Sequence, residues 1–197
     1  MNPIRNLTKF YDGEKTMNIS NGVKRILLIT RPIAPPWDEA SKNFAYNLAV
    51  NLPDFEFGLL TNGILKNLPK NIIQYPIYNS NNNNFIQKIR LIMNLRKISR
   101  QFEITHCLFT PTKINSFLLS NLLSNKKSKI IQTIATLRED LFNDREIKNL
   151  MFGDFLITYS DYAKNKLNKL GLDNVKRIYP GIDLDHYSPA SKNEELL

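Results

Sequence analysis

Polar, charged and aromatic side chains follow the first apolar run of the chain, in a segment suited to binding a polar ligand. Residues 26–29 are apolar and β-branched-rich, which is typical of a strand buried on both faces of a parallel sheet. Prolines at positions 32, 35 and 36 cannot extend that strand, so residues 31–37 are predicted to form a rigid loop at its carboxyl end. Ligands of open α/β sheets bind at such strand ends. The candidate binding residues here are Trp37, Asp38, Glu39, Ser41, Lys42 and Asn43.

The two carboxylates of this segment also have a structural interpretation. Asp38 can accept a hydrogen bond from the first-turn N–H groups of a following helix, and Glu39 adds negative charge near its positive end. Apolar residues at intervals of four predict that helix, and its apolar face contains Ala40, Phe44, Leu48 and Leu52, with Ala45 and Ala49 beside them. The sequence leaves helix capping and ligand contact open as alternatives for Asp38 and Glu39.

Three further segments carry polar residues directly after predicted strands. They are residues 110–112, residues 135–140 and Ser160. Because a doubly wound sheet brings the carboxyl ends of its strands to one edge, we expect these segments to converge with residues 35–43. The candidate binding residues are Thr110, Arg138, Glu139 and Ser160. A solvated loop explains Arg138 and Glu139 equally well, and Ser160 or Asp161 is predicted to cap the following helix.

The histidines and the cysteine give weaker indications of chemistry. His106 and the single Cys107 lie within an apolar run, which favours burial over catalysis for both. One cysteine excludes an internal disulfide and a cysteine-rich metal site, so a reducing compartment is favoured. No apolar run approaches the ~20 residues that span a bilayer, and the start lacks a signal-type segment, so the sequence predicts a cytoplasmic protein.

Strand and helix patterns alternate along the chain, which predicts an α/β fold with a single doubly wound, parallel, Rossmann-like sheet. The predicted strands cover residues 26–29, 55–60, 72–75, 104–109, 130–134, 155–159 and 175–178, with the first of them inside the sheet. Residues 1–22 are polar and aperiodic and are interpreted as a flexible leader, within which Met17 is an alternative start. Residues 79–84 form an asparagine tract, which indicates a solvated loop.

The net charge of +9 requires either a partner or a compositional explanation. The excess accompanies a vocabulary rich in Lys, Asn and Ile, which alone could raise the charge. The alternatives are an anionic membrane surface or a phosphate-bearing small molecule; nucleic acid is disfavoured because no basic cluster alternates with aromatics. A helix predicted at residues 85–102 has one apolar face with Leu91, Leu95, Ile98 and Phe102. Its other face carries Arg90, Arg96, Lys97 and Arg100. This basic face is either solvated or bound peripherally to the inner membrane surface.

Three motifs together resemble a known enzyme family. RILLITRPIAPPWDEASKN, GDFLITYSDYAKNKLNKLG and VKRIYPGIDLDHYSP resemble the N-terminal domain of a family 4 (group 1) glycosyltransferase, a two-Rossmann-domain GT-B enzyme. The last motif is the most specific, because in that family a strand leads through such a turn into the interdomain cleft. Its matching residues are Pro180, Gly181, Ile182, Asp183, Tyr187 and Pro189. The resemblance extends over residues 24–189 and adds Gly181 and Asp183 to the candidate binding residues.

The resemblance implies retaining transfer of a hexosyl group from a nucleotide sugar to a sugar or lipid-linked acceptor, without a metal or cofactor. The N-terminal domain, here residues 23–189, would bind the acceptor. The loop after the first strand would reach the donor diphosphate through N–H groups at the start of the helix. The family's Gly-Gly is replaced here by Asp38, Glu39, Ala40 and Ser41, whose carboxylates repel a diphosphate unless Lys42 or Arg31 offsets them.

Two other departures concern catalysis. Many family members carry a histidine where this chain has Ala135, so the catalytic residues stay unidentified. Residues 190–197 are interpreted as a truncated linker to a donor-binding domain, which the resemblance leads us to expect after them and which is predicted to be absent. Two hypotheses remain open. The chain is either the acceptor half of a glycosyltransferase, inactive without a separate donor-binding domain, or a non-catalytic binding or vestigial domain.

Overall fold

The computed structural model of the chain describes residues 24–77, 85–123, 128–179 and 181, with the side chains of residues 85–91 left out. Several sequence-based predictions lie outside this part of the chain. They are the leader at residues 1–22 with Met17, the asparagine tract at 79–84, the linker at 190–197, the side chain of Arg90, and the motif residues Pro180, Ile182, Asp183, Tyr187 and Pro189.

Seven parallel strands form one sheet in the order β3-β2-β1-β4-β5-β6-β7. The strands are β1 (Lys24–Ile33), β2 (Phe55–Thr61), β3 (Ile72–Tyr75), β4 (Ile104–Leu108), β5 (Lys129–Ile134), β6 (Phe155–Thr158) and β7 (Val175–Arg177). The β1 strand pairs with β2 on one side and with β4 on the other, so it lies inside the sheet as predicted. The α/β, doubly wound, Rossmann-like fold class is confirmed.

Five helices of the described residues connect the strands: α1 (Ala40–Asn51), α2 (Phe85–Ser99), α3 (Lys113–Leu123), α4 (Asp144–Leu150) and α5 (Asp161–Lys169). The sequence reasoning missed α4. Its signal is a capping box, in which Asn143 accepts from the Glu146 N–H and the Glu146 side chain accepts from the Asn143 N–H. No helix of the described residues is both long and apolar enough to cross a membrane.

The core lies on both faces of the sheet. On one face, Ile26 and Leu28 of β1 pack with the fully buried Ala45 and Ala49 of α1. Side chains of a strand alternate between faces, so Leu27 lies on the other face, where it packs in one cluster with Leu95, Ile98 and Phe102. Burial of Leu95 and Ile98 confirms the predicted apolar face of α2. The helix ends at Ser99, three residues earlier than predicted, so Phe102 packs from the segment that follows it. The predicted face of α1 is only partly right, because Ala40 is exposed and Phe44 and Leu48 are half-buried.

The end of β1 corrects one prediction. Pro32 does not stop the strand, which continues to Ile33, and Ile33 pairs with Thr61 of β2. The register shifts between Leu28 and Ile33, and a proline is tolerated at such an irregularity because no ladder N–H is required there. The loop therefore begins at Ala34, three residues later than predicted.

Candidate functional site

The predicted site segments lie along one edge of the sheet. They follow β1, β4, β5 and β6, which are adjacent in the strand order and are paired in parallel. Residues 35–43, 110–112, 135–140 and 160 therefore share the carboxyl edge. The chain reverses its direction of winding between β1 and β4, and such a switch point leaves a crevice at that edge. Ligand contact by the individual residues stays a prediction.

The first turn of α1 is organised by hydrogen bonds among side chains. Thr30 Oγ1 donates to Ser41 Oγ at 3.0 Å, and Ser41 Oγ donates to Glu39 Oε1 at 2.8 Å. Glu39, not Asp38, is the N-cap residue, and its side chain makes no capping hydrogen bond. The prediction that Asp38 caps the helix is therefore wrong, because its carboxylate is held elsewhere.

Lys42 holds that carboxylate and the loop before it. Its Nζ donates to Asp38 Oδ1 at 2.7 Å and to the Pro36 carbonyl oxygen at 2.8 Å, while the residue is only 8% exposed. The hydrogen bond from Lys42 lowers the pKa of Asp38. Arg31 in turn pairs with Glu39, with 3.4 Å between Nε and Oε2. The charges of the two carboxylates are thus offset by Lys42 and Arg31. Such an offset is required, as the sequence predicts, if a diphosphate is to approach the loop.

Trp37 and Asn43 complete this part of the edge. The Trp37 side chain is 42% exposed, and its ring packs on Tyr46 with 4.8 Å between ring centroids. Asn43 Nδ2 donates to the Trp37 carbonyl oxygen at 3.2 Å. An indole held in place and half open to solvent is a surface on which a sugar ring can stack.

The loop after β5 is exposed to solvent, and its charged side chains form hydrogen bonds and ion pairs. Arg138 donates from Nε and Nη2 to the Asp140 carboxylate, at 2.9 and 2.7 Å. Glu139 accepts from the Tyr162 hydroxyl and pairs with Lys166 at 3.1 Å. The Tyr162 hydrogen bond, followed by that of Lys166, lowers the pKa of Glu139, and the Arg138 hydrogen bond lowers the pKa of Asp140. Both carboxylates are therefore ionised and already have cationic partners.

Thr110 and Ser160 end the strands on either side of this loop. Thr110 is exposed at the edge beyond β4. Ser160 is the N-cap of α5, and its Oγ accepts from the Ala163 N–H at 3.2 Å. Ser160, not Asp161, is therefore the cap of α5, which gives Ser160 a structural role at the candidate site.

Replacing Ser160 by alanine should lower the free energy of unfolding by about 1 kcal/mol, because the Ala163 N–H loses its acceptor at the end of α5. Urea unfolding followed by circular dichroism measures the change. Ser120→Ala is the matched control, since Ser120 Oγ only donates to the Phe117 carbonyl oxygen inside an exposed helix. Equal losses in the two variants would contradict a capping role for Ser160.

His106 and Cys107 lie in the interior of β4. His106 is 3% exposed, and its Nε2 lies 2.7 Å from Thr133 Oγ1. Burial lowers the pKa of His106 to about 4, so its imidazole is neutral near pH 7. Burial raises the pKa of the Cys107 thiol. Neither group faces the carboxyl edge as an exposed reactive side chain, which agrees with the interpretation of both as buried.

One cluster at the edge was missed by the sequence reasoning. Arg177 Nη1 donates to Asp161 Oδ2 at 2.8 Å, and the guanidinium lies over the Tyr179 ring at 4.0 Å from its centroid. Arg177 falls within a predicted strand, where its position gave no sign of a partner at Asp161. Gly181, the neighbouring candidate residue, is exposed, and Asp183 lies beyond the described residues.

No protein-family model and no curated protein sequence matches the chain. Solved structures do match. Anabaena Alr3699/HepE in complex with UDP and glucose has a TM-score of 0.57 and 13% identity, with 83% of this chain and 46% of that chain covered. The same protein in complex with UDP has a TM-score of 0.52.

A glycosyltransferase from Rickettsia africae ESF-5 is also similar, with a TM-score of 0.55 and 14% identity over 90% of this chain and 48% of that chain. The chain thus spans about half the length of the structures that it matches. At these identities the likeness establishes the fold, a Rossmann-like domain of the kind found in a glycosyltransferase. Membership of family 4 stays a prediction.

Proposed function

We propose that this chain is the acceptor-binding half of a nucleotide-sugar-dependent glycosyltransferase. The observation that carries the proposal is the charge-balanced, hydrogen-bonded segment around Lys42 at the sheet's switch point. Rossmann-like sheets bind nucleotides and their partner substrates at this place. The fold it shares with a glycosyltransferase and with a protein that binds UDP and glucose supports the same conclusion.

Each element of the edge has a role in such a reaction. The Trp37 ring and the Asn43 and Ser41 side chains suit a sugar acceptor, because sugars present apolar ring faces and hydroxyl groups. The N-terminus of α1 carries no side-chain cap from Glu39, so its first-turn N–H groups suit the donor diphosphate. Pairing of Lys42 with Asp38 removes the repulsion that an isolated carboxylate would exert there.

The proposed transfer is retaining and does not use a base from this domain. The edge carboxylates are engaged by cations: Asp38 by Lys42, Glu39 by Arg31, Glu139 by Lys166, and Asp140 by Arg138. Bound in this way they are poor proton acceptors. Stabilisation of the departing nucleoside diphosphate would then come from a second, donor-binding domain. The alternative function is non-catalytic sugar binding by the same edge.

Nuclear magnetic resonance titration of the purified chain tests the site. Amide shifts caused by UDP, UDP-glucose or free sugars should cluster at residues 37–43, 110 and 138–140. Arg138→Gln should weaken the response several-fold, whereas Lys129→Gln should not. The control is matched, because Lys129 pairs with Asp154 at the opposite edge. Shifts clustered at that opposite edge, or no shifts with any ligand, would refute the proposed site.

A sugar-transfer assay separates the two functions. The isolated chain should show no turnover with any nucleotide sugar, and turnover should appear only when a nucleotide-binding domain is supplied in trans. Shifts at the edge without turnover under both conditions would favour non-catalytic binding. Turnover by the isolated chain would confirm a transferase and contradict the need for a second domain.

A further inference from the structure

The first two turns of α3 expose large apolar side chains. Ile114 is 72% exposed, Phe117 is 69% exposed and Leu118 is 37% exposed. The buried position between them is the polar Ser116. A helix that packs on a sheet normally buries its apolar face, so this arrangement is reversed in the first two turns of α3. The exposed stripe therefore needs an apolar partner outside the described fold.

A groove extends this apolar stripe towards α4. Its volume is about 620 Å³, and Ile114, Phe117 and Leu150 contribute apolar parts of its lining. Lys113 and Glu146, which are paired at 2.6 Å, also line it, together with Ser120 and Asn149. The surface is thus a recessed apolar strip, not a set of scattered side chains.

The neighbouring helix α2 presents cations on the same side of the sheet. Leu95 and Ile98 of α2 lie in one buried cluster with Leu123 of α3, so both helices cover the same face. On the outward side of α2, Met93 is 69% exposed, and Arg96 and Lys97 are exposed, as is Arg100 just beyond the end of the helix. Among the residues that the structure describes, none of these three cations has a carboxylate partner. An unpaired cationic stripe thus lies beside an apolar one.

We propose that this α2–α3 surface, defined by the exposed residues of the two helices, binds the surface of an anionic lipid bilayer. The apolar stripe of α3 would enter the boundary between headgroups and acyl chains, and the cations of α2 would contact lipid phosphates. Charge complementarity selects this occupant. A second copy of the chain would instead bring an identical cationic stripe and another net charge of +9 into the contact.

Vesicle cosedimentation with paired variants tests the two stripes. The chain should bind vesicles that contain phosphatidylglycerol, should bind pure phosphatidylcholine weakly, and should dissociate as salt rises. Arg96→Glu with Lys97→Glu should reduce partitioning about 25-fold or more, since each surface cation contributes about fivefold. Lys66→Glu with Lys70→Glu changes the net charge equally and should have less than about a twofold effect. These two lysines flank Leu68, which packs on the opposite face of the sheet.

The apolar stripe has its own matched control. Ile114→Ser with Phe117→Ser should weaken partitioning about tenfold or more, because two apolar side chains no longer enter the interface. Ile64→Ser should leave partitioning unchanged, although Ile64 is 68% exposed and the substitution removes about as much exposed apolar surface as Ile114→Ser does. Circular dichroism checks that the variants are folded, which we expect because the substituted positions are exposed.

Fluorescence gives a readout that does not depend on affinity. The chain contains one tryptophan, Trp37, at the carboxyl edge, and lipids with brominated acyl chains should leave its emission unquenched. Phe117→Trp in a Trp37→Phe background should be quenched. Three outcomes would overturn the proposal. They are quenching of Trp37 alone, equal losses of binding in the two charge variants, and dimerisation of the lipid-free chain through Phe117.

Discussion

Acidification from pH 6.5 to pH 4 should lower the free energy of unfolding by about 3 kcal/mol through His106 alone. Burial lowers the pKa of this imidazole in the folded chain to about 4, from an ordinary value of 6.5. The side chain is 3% exposed, and its Nδ1 has no hydrogen-bond partner within the described residues. Protonation would therefore place an uncompensated charge in the core beside β5.

The sign of this effect follows from the direction of the pKa shift. Above pH 6.5 the imidazole is neutral in both the folded and the unfolded chain, so the full contribution to stability is present. Between pH 6.5 and 4 only the unfolded chain binds the proton, so stability falls as the pH falls. Below pH 4 both states are protonated, and His106 contributes no further change.

Urea unfolding of the wild-type chain and of His106→Leu over this pH range isolates the effect. Asp38, Glu139 and Asp140, whose pKa values are lowered, lose stabilisation in both proteins on further acidification, so the difference between the two curves is the quantity of interest. His186→Gln is the matched control for the chain's second histidine and should retain the wild-type response. An unchanged acid response in His106→Leu would show that the burial of His106 is not its cause.

The strands could be predicted because buried parallel strands are rich in apolar residues. Residues 26–29 are a continuous apolar run and lie within β1, and residues 130–134, apolar except for Gln132 and Thr133, lie within β5. The residues at which the strands end were harder to predict. A proline breaks a strand reliably only where the sheet needs a backbone N–H at that position. The register shift in β1 removes this requirement at Pro32, and the shift arises from tertiary pairing.

The position of the candidate site was also predictable, but its internal contacts were not. Parallel topology alone brings residues 35–43 and 135–140 to one edge. The ion pair between Glu139 and Lys166 joins residues far apart in the sequence, so no local pattern indicates it. The same holds for Gln132, a polar residue inside an apolar strand. It is fully buried and accepts from the Phe152 N–H at 3.0 Å, across the turn that leads into β6.

Gly58→Ala should lower the free energy of unfolding by about 3 kcal/mol, and Gly58→Val by more. Gly58 lies within β2, where it pairs with Leu27 of β1 and with Ile73 of β3. A Cβ atom at this position would lie 2.4 Å from Phe102 Cζ and 2.9 Å from its Cε1. Either the ring or the strand must therefore move.

Neither movement is easy. The Phe102 ring is 3% exposed and contacts the Tyr75 ring edge-on, with 6.1 Å between centroids. The Arg25 guanidinium lies over the same ring, 5.2 Å from its centroid. The strand is held by its two neighbours, one of which is β1, and β1 carries the loop of the candidate site. Overpacking at Gly58 should therefore exceed the small gain that alanine gives in strand propensity.

A double-mutant cycle with Phe102→Leu tests this cause by urea unfolding. Leucine at position 102 removes the ring atoms that meet the new Cβ, so Gly58→Ala should cost less than about 1 kcal/mol in that background. Gly63→Ala is the matched control for a glycine substitution. No heavy atom lies within 4 Å of a Cβ there and only its φ of +79° is unfavourable, so it should cost about 1 kcal/mol. Additive effects of the Gly58 and Phe102 substitutions would rule out the contact with the Phe102 ring as the reason that position 58 is glycine.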